Sequence, residues 1–110
     1  MRDSNKEYSP GAFRQLCDET AENPPEGALD KSLDWEGRCE LVLEQLLAKV
    51  KQYAGTHDVK LGGHDMPRLT YLEDQIIHVL QFVWNLDNRE NRPVIHECVS
   101  KIVGPKPDAT

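Results

Sequence analysis

Residues 70–86, TYLEDQIIHVLQFVWNL, constrain the fold more than any other stretch of the chain, because at helical spacing they carry apolar groups on nearly every side. Leu72, Ile76, Val79, Leu80, Val83 and Leu86 form a main stripe, Ile77 and Trp84 a second flank, and Tyr71 with Phe82 a third. Only Asp74, His78, Gln81 and Asn85 remain as a polar line. A surface helix buries one face, roughly 100° or more wide. This one needs cover on several sides, from its own domain or from a second molecule.

Three further helices can be read from periodicity and terminal signals. The first opens at Ser9-Pro10, a cap residue followed by proline at the first helical position, and runs on Phe13, Leu16, Cys17 and Thr20 until Pro24-Pro25 forbids continuation. The second starts near Ser32, with Asp34 and Glu36 in a first turn where carboxylates suit the helix dipole, and ends at Tyr53 before Gly55. Its core stripe is Trp35, Cys39, Val42, Leu43, Leu46, Val50 and Tyr53. The apolar segment itself opens with a capping box, Thr70-x-x-Glu73. The last helix has Pro93 at or near its first turn, buries Val94, Ile95, Cys98, Val99 and Ile102, and stops at Gly104-Pro105.

The expected fold is therefore all-α, a small four-helix bundle-like domain. Its two long helices, about 32–54 and 70–87, are expected to form an antiparallel central pair joined by a long loop and covered by the two shorter helices. A chain of 110 residues suits one domain and can bury roughly two thirds of its unfolded surface. Residues 1–8 read as a flexible N-terminus, 9–104 as the helical domain and 105–110 as a flexible tail.

The link 55–69 is longer than the ~2–8 residues usual between bundle helices, and it is the natural place for something specific. It holds two copies of one dipeptide, His57-Asp58 and His64-Asp65, flanked by Gly55, Gly62 and Gly63. Two imidazoles and two carboxylates would make four ligands for a divalent metal such as Zn²⁺. The spacing matches no established zinc pattern, and ordinary turn-forming roles account for the same residues. No other cofactor is expected.

Net charge is -6, and residues 1–40 hold most of it, with 10 acidic and 5 basic side chains. No cluster of Lys and Arg supports direct nucleic-acid binding, which draws its affinity from such clusters. The longest apolar run falls far short of the ~20 residues of a membrane span, and the opening MRDSNKEYSPGAF lacks the apolar core of a secretory signal. A cytoplasmic setting is the expectation. Three widely spaced cysteines, Cys17, Cys39 and Cys98, each fall on an apolar helix side and read as reduced core thiols rather than a disulfide framework.

Catalytic constellations are sparse. Asp74 and His78, four apart, can pair on one helix face, as an oriented base or as a plain surface pair. His96 and Cys98 lie two apart and face away from each other, so they form no local dyad, and Ser100 stands where a zinc-protease helix needs its second His. Glu36, Glu40 and Glu44, taken with Glu73 and Asp74, resemble the acidic helices of MazG-type nucleotide pyrophosphatases, which hold Mg²⁺ between them. That family's paired glutamates with a third three residues on, and its later Glu-x-x-Asp, are incomplete in this chain.

The functional expectation is a protein–protein interaction module: a small acidic helical protein that binds, and inhibits or neutralises, a larger protein partner. Immunity proteins, antitoxins and phage inhibitors are similar in size and charge. Tyr71, Ile77, Phe82 and Trp84 are the expected partner-binding side chains, because aromatic anchors ringed by polar residues are what interfaces use. A basic protein suits the charge, and a second copy of the chain is another such partner. The competing expectation is a metal-dependent enzyme or metal-binding protein built on the acidic rows or the His-Asp loop. Nucleic-acid mimicry by the acidic first third is a third.

Overall fold

Ser9 accepts a hydrogen bond from the Ala12 N–H and so opens α1 (Pro10–Glu22), the first of four helices in a computed structural model that describes residues 9–55 and 67–106. The others are α2 (Trp35–Ala54), α3 (Arg68–Phe82) and α4 (Asn88–Val103), and no strand occurs among the described residues. α1 and the end of α2 follow the sequence signals: Pro24 lies just past α1, and Gly55 takes the left-handed conformation at φ 68 that closes α2.

Between α1 and α2 the chain makes a short series of turns in which Gly27 adopts φ 93, and Ala28 is completely buried. The positive φ is what favours glycine there, and a Cβ would also lie 3.0 Å from the Leu41 side chain, which would have to give way. Arg38 donates through Nε to the Ala28 carbonyl at 2.8 Å and pins this segment to α2.

α2 starts three residues later than expected. Asp34 is its cap, accepting from the Gly37 N–H at 2.7 Å, while Ser32 donates through both its N–H and its hydroxyl to Asp30 in the preceding turn. The expected capping box of α3 does not form. Thr70 is the third helical residue, no side chain among the described residues caps the helix, and Glu73 instead reaches across to α4. The Arg92 guanidinium there offers it a stronger, charge-assisted hydrogen bond than a backbone N–H can.

α3 also ends earlier than expected, at Phe82. The Trp84 N–H bonds to the Val79 carbonyl, Asn85 turns left-handed at φ 61, and the Leu86 N–H returns to the Leu80 carbonyl. Asparagine tolerates that conformation better than most residues, so the chain can leave the helix there without glycine. α4 begins well before Pro93: Asp87 accepts from the Arg89 N–H, and Asn91 donates to the Asp87 carbonyl. Pro93 lies inside the helix, where the bond it forgoes is the one to the Arg89 carbonyl.

The helix directions correct the expected topology. Arg68, at the start of α3, pairs with Glu40 and Glu44 in the first half of α2. Trp84, just past the end of α3, donates to the Val50 carbonyl and stacks on Tyr53 near the end of α2. α2 and α3 are therefore parallel, not antiparallel. α1 runs against α2, with Phe13 near its start meeting Trp84 beside the end of α2, and α4 runs against both central helices, with the Trp35 indole at the start of α2 bonded to the Gly104 carbonyl just past the end of α4.

The order of directions is thus up, down, down, up, with one long crossover. The twelve peptide steps from Gly55 to Pro67 can reach about 40 Å, whereas a helix as long as α2 measures about 30 Å, so the chain can return along the full length of α2. With 15 residues, α3 is also slightly shorter than α4, which has 16.

The most extensive helix packing is between α2 and α3, while α1 and α3 lie diagonally opposite. Phe13, Leu46, Leu72, Ile76, Leu80, Ile95 and Trp84 form the centre of one continuous core. No buried side-chain nitrogen or oxygen among the described residues lacks a partner. Thr20, fully buried on α1, donates back to the Leu16 carbonyl at 2.9 Å. No helix of the described residues is long and apolar enough to cross a membrane.

Candidate functional site

Arg68, Tyr71, Gln75, His78 and Phe82 follow at alternating steps of three and four along one side of α3, exposed at its two ends, Arg68 and Phe82, and buried in the middle at Gln75. Phe82 is 68% exposed, and its ring lies 5.1 Å from that of His78. Further along, the Gln75 amide donates to the Tyr71 hydroxyl at 2.8 Å, and the Arg68 guanidinium lies 5.7 Å from the centre of the Tyr71 ring. The stripe thus runs from a guanidinium through a half-buried phenol to an open phenyl ring.

Of the four side chains expected to bind a partner, two are not at the surface. Ile77 is 3% exposed and Trp84 is 2% exposed. Trp84 is enclosed by Tyr53, by the edge of Phe13 and by the end of α2, because the chain leaves the helix at Phe82 and swings the indole inward. Ile77 belongs to the same core cluster. Both are core residues of this domain, which leaves Phe82 and the half-buried Tyr71 on the outer face.

A second cluster centres on Glu73, whose side chain is only 16% exposed. One carboxylate oxygen takes Arg92 Nη1 and the other takes His96 Nε2 at 2.8 Å, while Arg92 Nη2 reaches Asp74 at 3.3 Å. This network borders a cleft of about 200 Å³ between α2, α3 and α4, walled by Trp35, Cys39, Leu43 and Leu69. Burial pushes the Cys39 thiol up to about 11, so at neutral pH it is protonated and a poor nucleophile. Glu73 has both oxygens engaged. The cleft therefore offers apolar walls and, at its border, a hydrogen-bonded ion network.

The remaining candidates separate. Asp74 pairs with Arg92 and His78 packs on Phe82, so no Asp74–His78 bond is made. His96 points to Glu73 and Cys98 to Cys17, on different sides of α4 as their spacing requires. Glu40 and Glu44 face Arg68, and Glu73 and Asp74 face Arg92, so the acidic rows that resemble the pyrophosphatase helices are answered by guanidinium groups. Among the described residues no three of His, Cys, Asp and Glu converge as a metal-ligand set. His57, Asp58, His64 and Asp65 lie outside the described residues, as do Gly62 and Gly63.

Sequence reasoning did not single out Arg92. Its only local signal is its place in the run DNRENR, and its role depends on a packing of α4 on α3 that no local pattern encodes. No protein-family model, curated protein or solved structure matches this chain.

Proposed function

We propose that this chain is a protein-recognition module: an acidic helical domain that binds a larger protein through the outer face of α3 and thereby inhibits or neutralises it. The observation that carries this reading is Phe82, a phenyl ring 68% exposed on a helix whose other large apolar groups are mostly enclosed. Scattered exposed apolar residues are ordinary on any surface. Phe82 differs in continuing a stripe that already holds Tyr71, Arg68 and His78, and Tyr and Arg are the residue types enriched where binding energy concentrates. The net charge of -6 favours encounter with a basic partner.

The test compares association of the native chain with that of Phe82→Ala, by light scattering for self-association and by binding to partners captured from the native host. Phe82→Ala is expected to weaken association about tenfold or more while helicity by circular dichroism is unchanged. Leu29→Ala, also at an exposed position, serves as the control. Equal association of the Phe82→Ala and native chains removes the reading.

A further inference from the structure

Cys17 on α1 and Cys98 on α4 meet inside the domain, 81 positions apart in sequence. The Cys98 thiol donates to the Cys17 carbonyl at 3.5 Å, and the two residues are 4% and 5% exposed, Cys98 the less so. Both also line a cavity of about 70 Å³ between α1 and α4, with Arg14, Asp18, Glu97 and Lys101 around it. A water takes about 30 Å³ in the liquid, so this space admits a molecule of the size of hydrogen peroxide. Two free cysteines that meet across α1 and α4, both lining a small cavity whose rim carries two cationic and two anionic side chains, are more than a pair of core hydrophobes requires.

We propose that Cys17 and Cys98 are a reversible redox pair that a hydroperoxide converts to a disulfide tying α1 to α4. The proposal is independent of any partner bound at α3. The neighbouring Cys17 side chain and the charge of Lys101 hold the Cys98 thiol below its ordinary value, against burial and the charges of Asp18 and Glu97, whereas the Cys98 side chain and burial push Cys17 up. Cys98 is therefore the sulfur that reacts first.

Its thiolate attacks one peroxide oxygen, an S–O bond forms, the O–O bond breaks, and the hydroxide released takes up a proton to become water. The Cys17 sulfur then attacks Cys98: the S–S bond forms, the S–O bond breaks, and the hydroxyl leaves as water with the Cys17 proton. Two thiols lose two electrons, and the peroxide is reduced to two waters. Cys39 lies on α2 beside the other cleft and takes no part.

The experiment treats the full chain with hydrogen peroxide, alkylates remaining thiols and maps the cysteines by mass spectrometry. The expected product is a monomeric chain lighter by two hydrogen atoms, with Cys17 linked to Cys98, Cys39 alkylated, and the change reversed by a dithiol reductant. Closing so long a loop is expected to raise the thermal midpoint by about 10 °C or more. Cys39→Ser should form the same link, and Cys98→Ser should not. The proposal is overturned if Cys17 and Cys98 stay alkylatable or reach only sulfinic acid, if the link involves Cys39, or if oxidation lowers the midpoint.

Discussion

Trp84 stacks on Tyr53 with ring centroids 4.8 Å apart and 28° between their planes, which fixes the end of α3 beside the end of α2. The pair stands at the junction of three helices, because the Trp84 ring also meets Phe13 of α1 nearly at right angles, with centroids 6.4 Å apart. A parallel pair of helices has no tight turn to hold its ends in register. Here an indole supplies that register, donating to the Val50 carbonyl at 3.4 Å.

Removing this indole should therefore cost far more than removing the phenyl ring two residues before it. Trp84→Ala is expected to lower stability by about 3–5 kcal/mol, through lost burial and a cavity that three helices cannot all close upon. Phe82→Ala, at an exposed position, is expected to change it by no more than ~0.5 kcal/mol. Urea denaturation followed by circular dichroism gives both values. Similar losses for the two variants would mean that Trp84 is no more enclosed than Phe82, contrary to the packing described.

Glu73 provides a second contrast, since sequence pattern assigns it to a capping box with Thr70 and the fold assigns it to Arg92 and His96. Thr70→Ala should then be nearly neutral, within ~0.5 kcal/mol, whereas loss of a working cap costs about 1 kcal/mol. Arg92→Ala leaves Glu73, 16% exposed, and Asp74 without their shared cation, and is expected to cost about 1–2 kcal/mol after allowance for solvent at the half-exposed guanidinium. Glu73→Gln in the Arg92→Ala background should restore part of the loss, because it removes a partly buried charge that has lost its guanidinium. A double-mutant cycle showing no coupling between the two positions would mean that the pair contributes nothing.

These two sites show where the sequence is legible. Ser9-Pro10 and Gly55 mark helix ends correctly because a cap acts on its own backbone neighbours. The stripe through Cys39, Val42, Leu43, Leu46 and Val50 is buried because its periodicity is a property of one helix. The direction of α3 is not local: apolar stripes pack in either sense, and only the length of the connection after Gly55 left room for the parallel one. Extending α3 through Trp84 treated an apolar run as a helical one, and the break depends on Asn85, a weak signal beside glycine. The fate of Glu73 depends on Arg92, nineteen positions away.

Cys39 links burial to pH in a way that can be measured. Its thiol is neutral when protonated, and desolvation in the folded chain moves it from 9.0 to about 11, with opposing and reinforcing effects from Arg38 and Glu36. Below pH 9 the thiol is protonated in both states and its burial contributes fully to stability. As pH rises from 9 to 11 the unfolded chain ionises while the folded chain does not, so stability falls, and it levels off above the folded value. A displacement of about two pH units corresponds to roughly 2–3 kcal/mol. The other ionisable groups are common to the native chain and to Cys39→Ala, so their contributions cancel in the comparison. The difference between the two, measured by urea denaturation under reducing conditions from pH 8 to 11, should therefore shift by that amount in favour of the variant. Parallel stability curves would mean that the folded chain accommodates the Cys39 thiolate as readily as the unfolded chain does, and that the cleft beside α2 is wetter than its apolar walls imply.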